Sequence, residues 1–376
     1  PTAIDVLESI FKNAIHHQAS DIHLESQARE LRVRYRIDGL LSVTQTPPPI
    51  LKDAVLSRLK VLAGMDIAEK RLPQDGRFQY DDGTQKVDLR VSSLPTTQGE
   101  KLVVRLLYYA KERPALSELG YSNQDQQHLI QAIHKPHGLV LITGPTGSGK
   151  TLSLYSCLDL LNTLERNVST VEDPVEIHLT GVNQVQTNEK AGLTFSHTLR
   201  ALLRQDPDVL MVGEIRDTET AEIAMQAAQT GHLVLSTLHT NDAPSTLARL
   251  RHMGIAGFQV AASVSLVTAQ RLIRCLCPAC KTPLSQTQQE TWQRSLSSED
   301  LAVLQKNGLA QATLYQAVGC NACHHGYKGR TGVYQIMPIT ATMQNLIVQG
   351  QATAALSLLQ TIIFLSQIVF CCSCIL

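Results

Sequence analysis

Apolar residues recur along this chain with two different periods, and the change between them divides it. Ile4, Leu7, Phe11 and Ile15 fall at helical spacing and predict an amphipathic first helix. Leu31 to Ile37 then alternates strictly. Leu31, Val33, Tyr35 and Ile37 share one face and Arg32, Arg34 and Arg36 the other, as in a half-buried strand. Asp38-Gly39 suits the positive φ of a type I′ turn, so Leu40–Thr44 should return as a hairpin strand. Pro47 to Pro49 breaks the chain before a helix over 50–63. Val87–Val91 alternates with Arg90 turned away from the apolar set, and Glu100–Leu107 is a further strand carrying Arg105. From residue 123 short continuous apolar runs take over: Leu139–Thr143, Val168–Val171, Val209–Val212 and Leu233–Ser236, with helical segments between them. Such runs are buried on both faces, so they predict βα units around a mostly parallel sheet.

The pattern gives a mixed α/β domain over 1–108, a polar connection over 109–122 containing Pro114 and Gly120, and an α/β domain over 123–272. A cysteine-bearing element over 273–340, with a Gln/Ser-rich insertion at 285–300, and a last segment over 341–376 follow. The length of 376 residues fits two or three domains. Thirty-three basic against 33 acidic residues remove the global positive field of a nucleic-acid-coating protein. An aromatic content of 4% leaves few platforms for stacking bases. No apolar run is long enough for a transmembrane helix, and the start lacks the features of a signal peptide. Beginning at Pro1 suggests a trimmed chain. Cytoplasm is the expectation.

Gly144-Pro145-Thr146-Gly147-Ser148-Gly149-Lys150-Thr151 fits GxxxxGK[ST] in full, between a strand ending at Thr143 and a helix through Leu161. Glycines there let backbone N–H groups turn onto phosphates, and the helix N-terminus adds partial positive charge. Lys150 would reach the β- and γ-phosphates and Thr151 would hold Mg²⁺. The strand Val209–Val212 runs into Glu214, and Val168–Val171 into Glu172-Asp173-Pro174-Val175-Glu176. Carboxyl ends of strands in an open α/β sheet face the ligand crevice, so both acidic sets should converge there. His232 and His239 bracket the fourth apolar run. Nine cysteines, grouped as Cys275, Cys277 and Cys280, then Cys320 and Cys323, then Cys371, Cys372 and Cys374, with Cys157 apart, point to a metal rather than a disulfide framework.

On these residues the chain resembles the hexameric assembly ATPases of bacterial type II secretion and type IV pilus systems. The motifs that carry it, over roughly 1–350, include Ala19-Ser-Asp-Ile-His-Leu-Glu25, Arg34-Tyr-Arg-Ile-Asp-Gly39, Arg71-Leu-Pro-Gln-Asp-Gly-Arg77 and Arg90-Val-Ser-Ser-Leu-Pro-Thr96. The more specific ones are Thr170–Glu176, the run from Leu203 to Asp217, and Thr230–Asn241. The resemblance implies an N-terminal mixed α/β (PAS-like) domain followed by a RecA-like P-loop NTPase domain with a tetracysteine zinc-binding insertion. It implies Glu172 as the water-activating carboxylate, Glu214 as the acid near Mg²⁺, and His239, with His232 as a second candidate, as γ-phosphate sensors. Arg90 and Arg105 would close over the phosphates of ATP, whereas Arg32 and Arg34 read as a solvated strand face. Cys277, Cys280, Cys320 and Cys323 would hold Zn²⁺, with 39 residues between the two CxxC pairs. Pilus-retraction relatives lack that element, which favours pilus extension or secretion. The implied partners are further copies of the chain in a homo-hexamer and an inner-membrane platform, with the protein cytoplasmic and peripheral to that membrane and no direct nucleic-acid contact. A nucleic-acid-translocating ATPase and an inactive nucleotide-binding remnant are the rival readings. The 376 residues are expected to cover the two-domain motor core, and the resemblance implies that an additional partner-binding domain often precedes the segment that starts here at Pro1.

Beyond about Ala352 the resemblance ends. Thr361 to Leu376 carries no charge in sixteen residues, which reads as a frameshift or altered terminus giving an apolar tail rather than as a membrane anchor through its cysteines.

Overall fold

The computed structural model describes residues 2–108, 114–298, 301, 305 and 312–350, so the expectations for the tail lie outside the described residues. The chain divides into two compact units, 1–112 and 113–376.

The first unit is one antiparallel sheet in the order β3-β2-β1-β6-β5-β4, built from β1 (Asp21–Ser26), β2 (Leu31–Ile37), β3 (Leu40–Gln45), β4 (Gln74–Asp81), β5 (Lys86–Thr96) and β6 (Gly99–Tyr108). The β2–β3 turn has φ of 48° at Asp38 and 87° at Gly39, as the hairpin reading requires. Helices α1 (Ala3–His16) and α2 (Lys52–Leu62) cover one face, burying Leu7, Ile10, Phe11, Val55 and Leu59 against Val33, Tyr35, Leu89 and Val104. Thr2 caps α1 in a capping box with Asp5. Of the four apolar positions used to predict α1, Ile4 is the exception and stays exposed.

A charged pair crosses this core. Lys60 is 1% exposed; its Nζ donates to Glu100 Oε1 at 2.8 Å and to the Glu69 carbonyl at 2.7 Å. Removing one partner strands a buried charge, which costs about 3–5 kcal/mol. Lys60→Met should therefore lower the denaturant midpoint of this unit sharply. Lys60→Met with Glu100→Leu should recover most of the loss, and equal effects of the single and double changes would contradict the account.

The second unit holds a seven-stranded sheet in the order β15-β12-β7-β11-β10-β8-β9. Its strands are β7 (Gly138–Thr143), β8 (Val168–Glu172), β9 (Asn183–Gln186), β10 (Val209–Val212), β11 (Leu233–Leu238), β12 (Val264–Leu276) and β15 (Tyr327–Pro338); β13 (Thr282–Pro283) and β14 (Tyr315–Gln316) pair separately. All neighbours in the seven-stranded sheet are parallel except β12 and β15. Helices α3 (Asn123–Ile133), α4 (Lys150–Leu161), α5 (Phe195–Leu202), α6 (Thr218–Gln229), α7 (Ala243–His252) and α8 (Gly257–Ser263) accompany it, with α9 (Gln286–Ser295) and α10 (Ala341–Val348) further on. Two apolar clusters, one on each face, bury the strands: Leu139, Leu141, Val212 and Val234 in one, Val140, Ile142, Met211 and Leu235 in the other.

Two boundaries differ from the pattern-based reading. Leu116 and Tyr121, expected in the polar connection, are buried in the second unit's core, where Tyr121 stacks on Tyr334 at 3.5 Å between ring centroids. β12 runs unbroken through residue 272. It pairs with β7 as far as Ala269 and with β15 as far as Leu276, so the cysteine element grows out of the sheet itself.

Candidate functional site

The glycine loop leaves β7 at its carboxyl end and enters α4. Gly144, Gly147 and Gly149 have φ of 144°, 78° and 88°, values that L side chains rarely adopt. A Cβ on Gly144 would lie 2.3 Å from the Gln270 carbonyl oxygen, so space as well as conformation demands glycine there. Pro145, Thr146 and Gly147 are exposed at the tip, and Thr151 is exposed on the first turn of α4. Lys150 folds back so that Nζ donates to the carbonyls of Gly144 (2.9 Å) and Pro145 (3.1 Å). Burial lowers its pKa, against the opposing pull of Glu214. Ser148 Oγ is buried without a hydrogen-bond partner among the described residues. A cation satisfied only by loop carbonyls and an orphaned hydroxyl fit a loop that receives phosphate oxygens.

β10 and β11 are neighbours, with Val212 opposite Ser236, so the residues that follow them come together. The Thr237 hydroxyl ties the turn by donating to the Gly213 carbonyl at 2.7 Å. His239 Nε2 lies 3.4 Å from Glu214 Oε2, and Arg216 bonds Glu214 Oε1 while its other nitrogen reaches Asp173 at 3.3 Å. Burial would raise the Glu214 pKa, but Arg216 and His239 outweigh it and hold the carboxyl below the usual range. His232 is elsewhere. It precedes β11, and its carbonyl accepts from the first residue of β7, so six strand residues, roughly 20 Å, separate it from His239. The structure does not bring it to the loop.

Glu172 ends β8 inside a cluster of hydrogen-bond donors. It is 4% exposed, and both carboxylate oxygens accept: Oε1 from the Thr170 hydroxyl (2.6 Å) and the Gln184 amide (3.1 Å), Oε2 from the Tyr155 hydroxyl on α4. Three protein donors thus hold the two carboxylate oxygens in place and leave acceptor capacity on Oε2. The neighbouring Asp173 is exposed and Glu176 half-buried on the loop that follows, where the Glu176 N–H donates to Tyr155 Oη at 3.4 Å. Tyr155→Phe would strand Glu172 Oε2, and a stability loss of about 1–3 kcal/mol by chemical denaturation is expected. An unchanged midpoint would show the bond to be immaterial.

In the first unit the register sets Arg77, Arg90, Arg105, Asp21 and Arg36 in one row across five strands. Directly opposed like charges cost a sheet stability, and Asp21 offsets part of that cost at its end of the row. Asp21 takes Arg105 Nε at 3.1 Å and Arg36 Nε at 3.6 Å. Arg77 joins the two arginines expected to contact phosphate, a placement visible only once β4 is paired. Arg34 is engaged by Glu25 at 2.6 Å rather than merely solvated.

Cys277, Cys280, Cys320 and Cys323 place their sulfurs within 4.8 Å of one another, with the closest pairs at 3.6–3.9 Å. Four sulfurs about 2.3 Å from a central ion stand about 3.8 Å apart in a tetrahedron, so the group could hold a metal ion. Burial lifts the Cys280 thiol to about 11. At Cys323 burial acts the same way, but the Cys320 N–H and neighbouring thiol outweigh it and bring the group to about 7. Cys275 is not part of the cluster.

A phosphate loop at the carboxyl edge of a parallel sheet, faced by an acid and a histidine from adjacent strands, defines a P-loop nucleotide-binding protein. The sequence profile of the Type II/IV secretion system protein family matches residues 2–362, past the point where resemblance was expected to end, and the chain belongs to that family. It is 50% identical over 347 residues to the type IV pilus assembly ATPase PilB of Acinetobacter baylyi, covering 92% of this chain and 59% of that protein. It is also 50% identical over 345 residues to type II secretion system protein E of Pseudomonas aeruginosa, covering 92% and 67%. The chain thus spans about two thirds or less of these relatives' length. The pilus retraction motor PilT, solved with bound ADP, superposes with a TM-score of 0.60 at 25% identity, covering 94% of this chain and 89% of that one. The Legionella pneumophila ATPase DotB superposes at 0.67 and 20% identity, covering 96% and 88%, a likeness of fold. Among the described residues no helix is long and apolar enough to cross a membrane.

Proposed function

We propose that the chain is the core of a hexameric motor ATPase for type IV pilus assembly or type II secretion, its second unit RecA-like and its site at the carboxyl edge of the parallel sheet. The observation that carries this reading is the convergence of Lys150, Glu214 and His239 beside the glycine loop. The phosphates of ATP would displace the two carbonyls from the Lys150 ammonium and accept from the loop's N–H groups. Thr151 and Glu214 would hold Mg²⁺, which when bound neutralises charge on the phosphate oxygens. His239, exposed and against Glu214, would contact the terminal phosphate. Arg90 and Arg105, with Arg77 beside them, would clamp phosphate in bidentate fashion. Glu172 acts in this reading as a buried hub, and an acid of the loop it anchors, Asp173 or Glu176, orients the attacking water. The tetracysteine group would hold Zn²⁺ in a closed structural site, and the partners would be inner-membrane components of the machine.

Purified protein should release phosphate from ATP only with Mg²⁺. Glu214→Gln should slow release by about a hundred-fold while ATP binding persists. Protein that binds no ATP, or that hydrolyses it equally well without Glu214, would sink the proposal.

A further inference from the structure

We infer that Gln270 is a positioning residue for the phosphate loop, fixing the shape in which it receives a nucleoside triphosphate; the inference rests on the loop binding phosphate. Gln270 lies in β12, beside β7, and belongs to none of the sequence motifs that point to the nucleotide. It is 2% exposed, and both ends of its amide are used. Nε2 donates to the Ser148 carbonyl in the loop at 2.8 Å, and Oε1 accepts from the Ser153 hydroxyl on the first turn of α4 at 2.9 Å.

A side-chain amide suits this place because it sets a donor and an acceptor side by side. A carboxylate of the same shape could still accept from Ser153 but has no hydrogen for the Ser148 carbonyl. In a trans peptide the carbonyl and the following N–H point in opposite directions. Holding the Ser148 carbonyl toward β12 therefore aims the Gly149 N–H away from it, the direction an incoming phosphate needs. The main chain adds to the grip, since the Gln270 carbonyl oxygen occupies the space a Cβ on Gly144 would fill.

The test is the affinity of the chain carrying Gln270→Glu for Mg-ATP, measured by calorimetry across pH. Binding should weaken about tenfold or more near neutrality. Affinity should recover as the pH falls toward about 5, because the introduced carboxyl regains a hydrogen to donate. The wild-type protein, titrated in parallel, sets the baseline. Gln270→Met should show the loss without the recovery. Binding by Gln270→Glu within about twofold of wild type, or a deficit that ignores pH, overturns the inference. So does failure of both variants to fold, which would make Gln270 a packing residue. Wild-type protein that binds no Mg-ATP would instead overturn the reading of the loop itself.

Discussion

Lys150→Ala should cut steady-state ATP hydrolysis by about a hundred- to a thousand-fold, the cost of losing one preorganised charged donor at a phosphoryl-transfer site. The fold should not notice. Among the described residues the Lys150 ammonium has two carbonyls of its own loop as partners, at 2.9 and 3.1 Å, and no carboxylate within ion-pair distance. An amine held half-buried in that way, its pKa already lowered by burial, contributes little to stability and is poised to exchange carbonyls for phosphate oxygens. Phosphate release at saturating Mg-ATP, with the melting temperature as control, separates the two effects. Wild-type turnover in the variant would remove Lys150 from the chemistry. Lys150→Arg should also fail, because a planar guanidinium cannot replace a compact ammonium in so close a loop.

The second large effect is expected at the cysteines. Replacing Cys277 and Cys320 by Ser should abolish binding of about one zinc per chain. It should also open the segment between β12 and β15 to protease. Structural zinc in small peptides contributes about 10–16 kcal/mol of apparent binding free energy, comparable with the whole stability of a typical domain. The element has little else to hold it: around the knuckle only Leu276, Cys277 and Leu314 are buried apolar residues among those described. The nucleotide loop lies in a sheet with two apolar clusters of its own, so the double variant should still bind Mg-ATP. Protein that carries no metal as purified, with a cleavage pattern unchanged by the substitutions, would contradict the assignment.

Features whose cause lies in neighbouring residues could be read from the chain; those caused by a distant partner could not. The β2–β3 hairpin was legible because strict alternation and Asp38-Gly39 agree on it. β10 was legible because four apolar residues buried on both faces leave no second interpretation. β4 escaped because Gln74–Asp81 is an edge strand whose residues are only half-buried or exposed, and edge strands need no apolar face. β1 escaped because Asp21 and Glu25 are buried by arginines and a lysine from other strands. The same cause hid the surroundings of Glu172. Its position at a strand end suggests exposure to the crevice, whereas Tyr155, Thr170 and Gln184 close around it. Gln270 carries no sequence signal at all, since its role exists only once β12 lies against β7.

The ribbon of β12 and β15 has a mechanical consequence. Past Ala269, β12 leaves β7 and continues with β15 to the knuckle, seven residues from Gln270 to Cys277 and so roughly 23 Å. Were the ribbon stiff despite its irregularity between Arg274 and Leu276, it would act as a lever rooted beside the phosphate loop. A turn of about 10° at Gln270 would sweep the cysteine tip through about 4 Å, on a strand of that length. Leverage runs both ways, so in a stiff ribbon a force on the tip would reach the root multiplied.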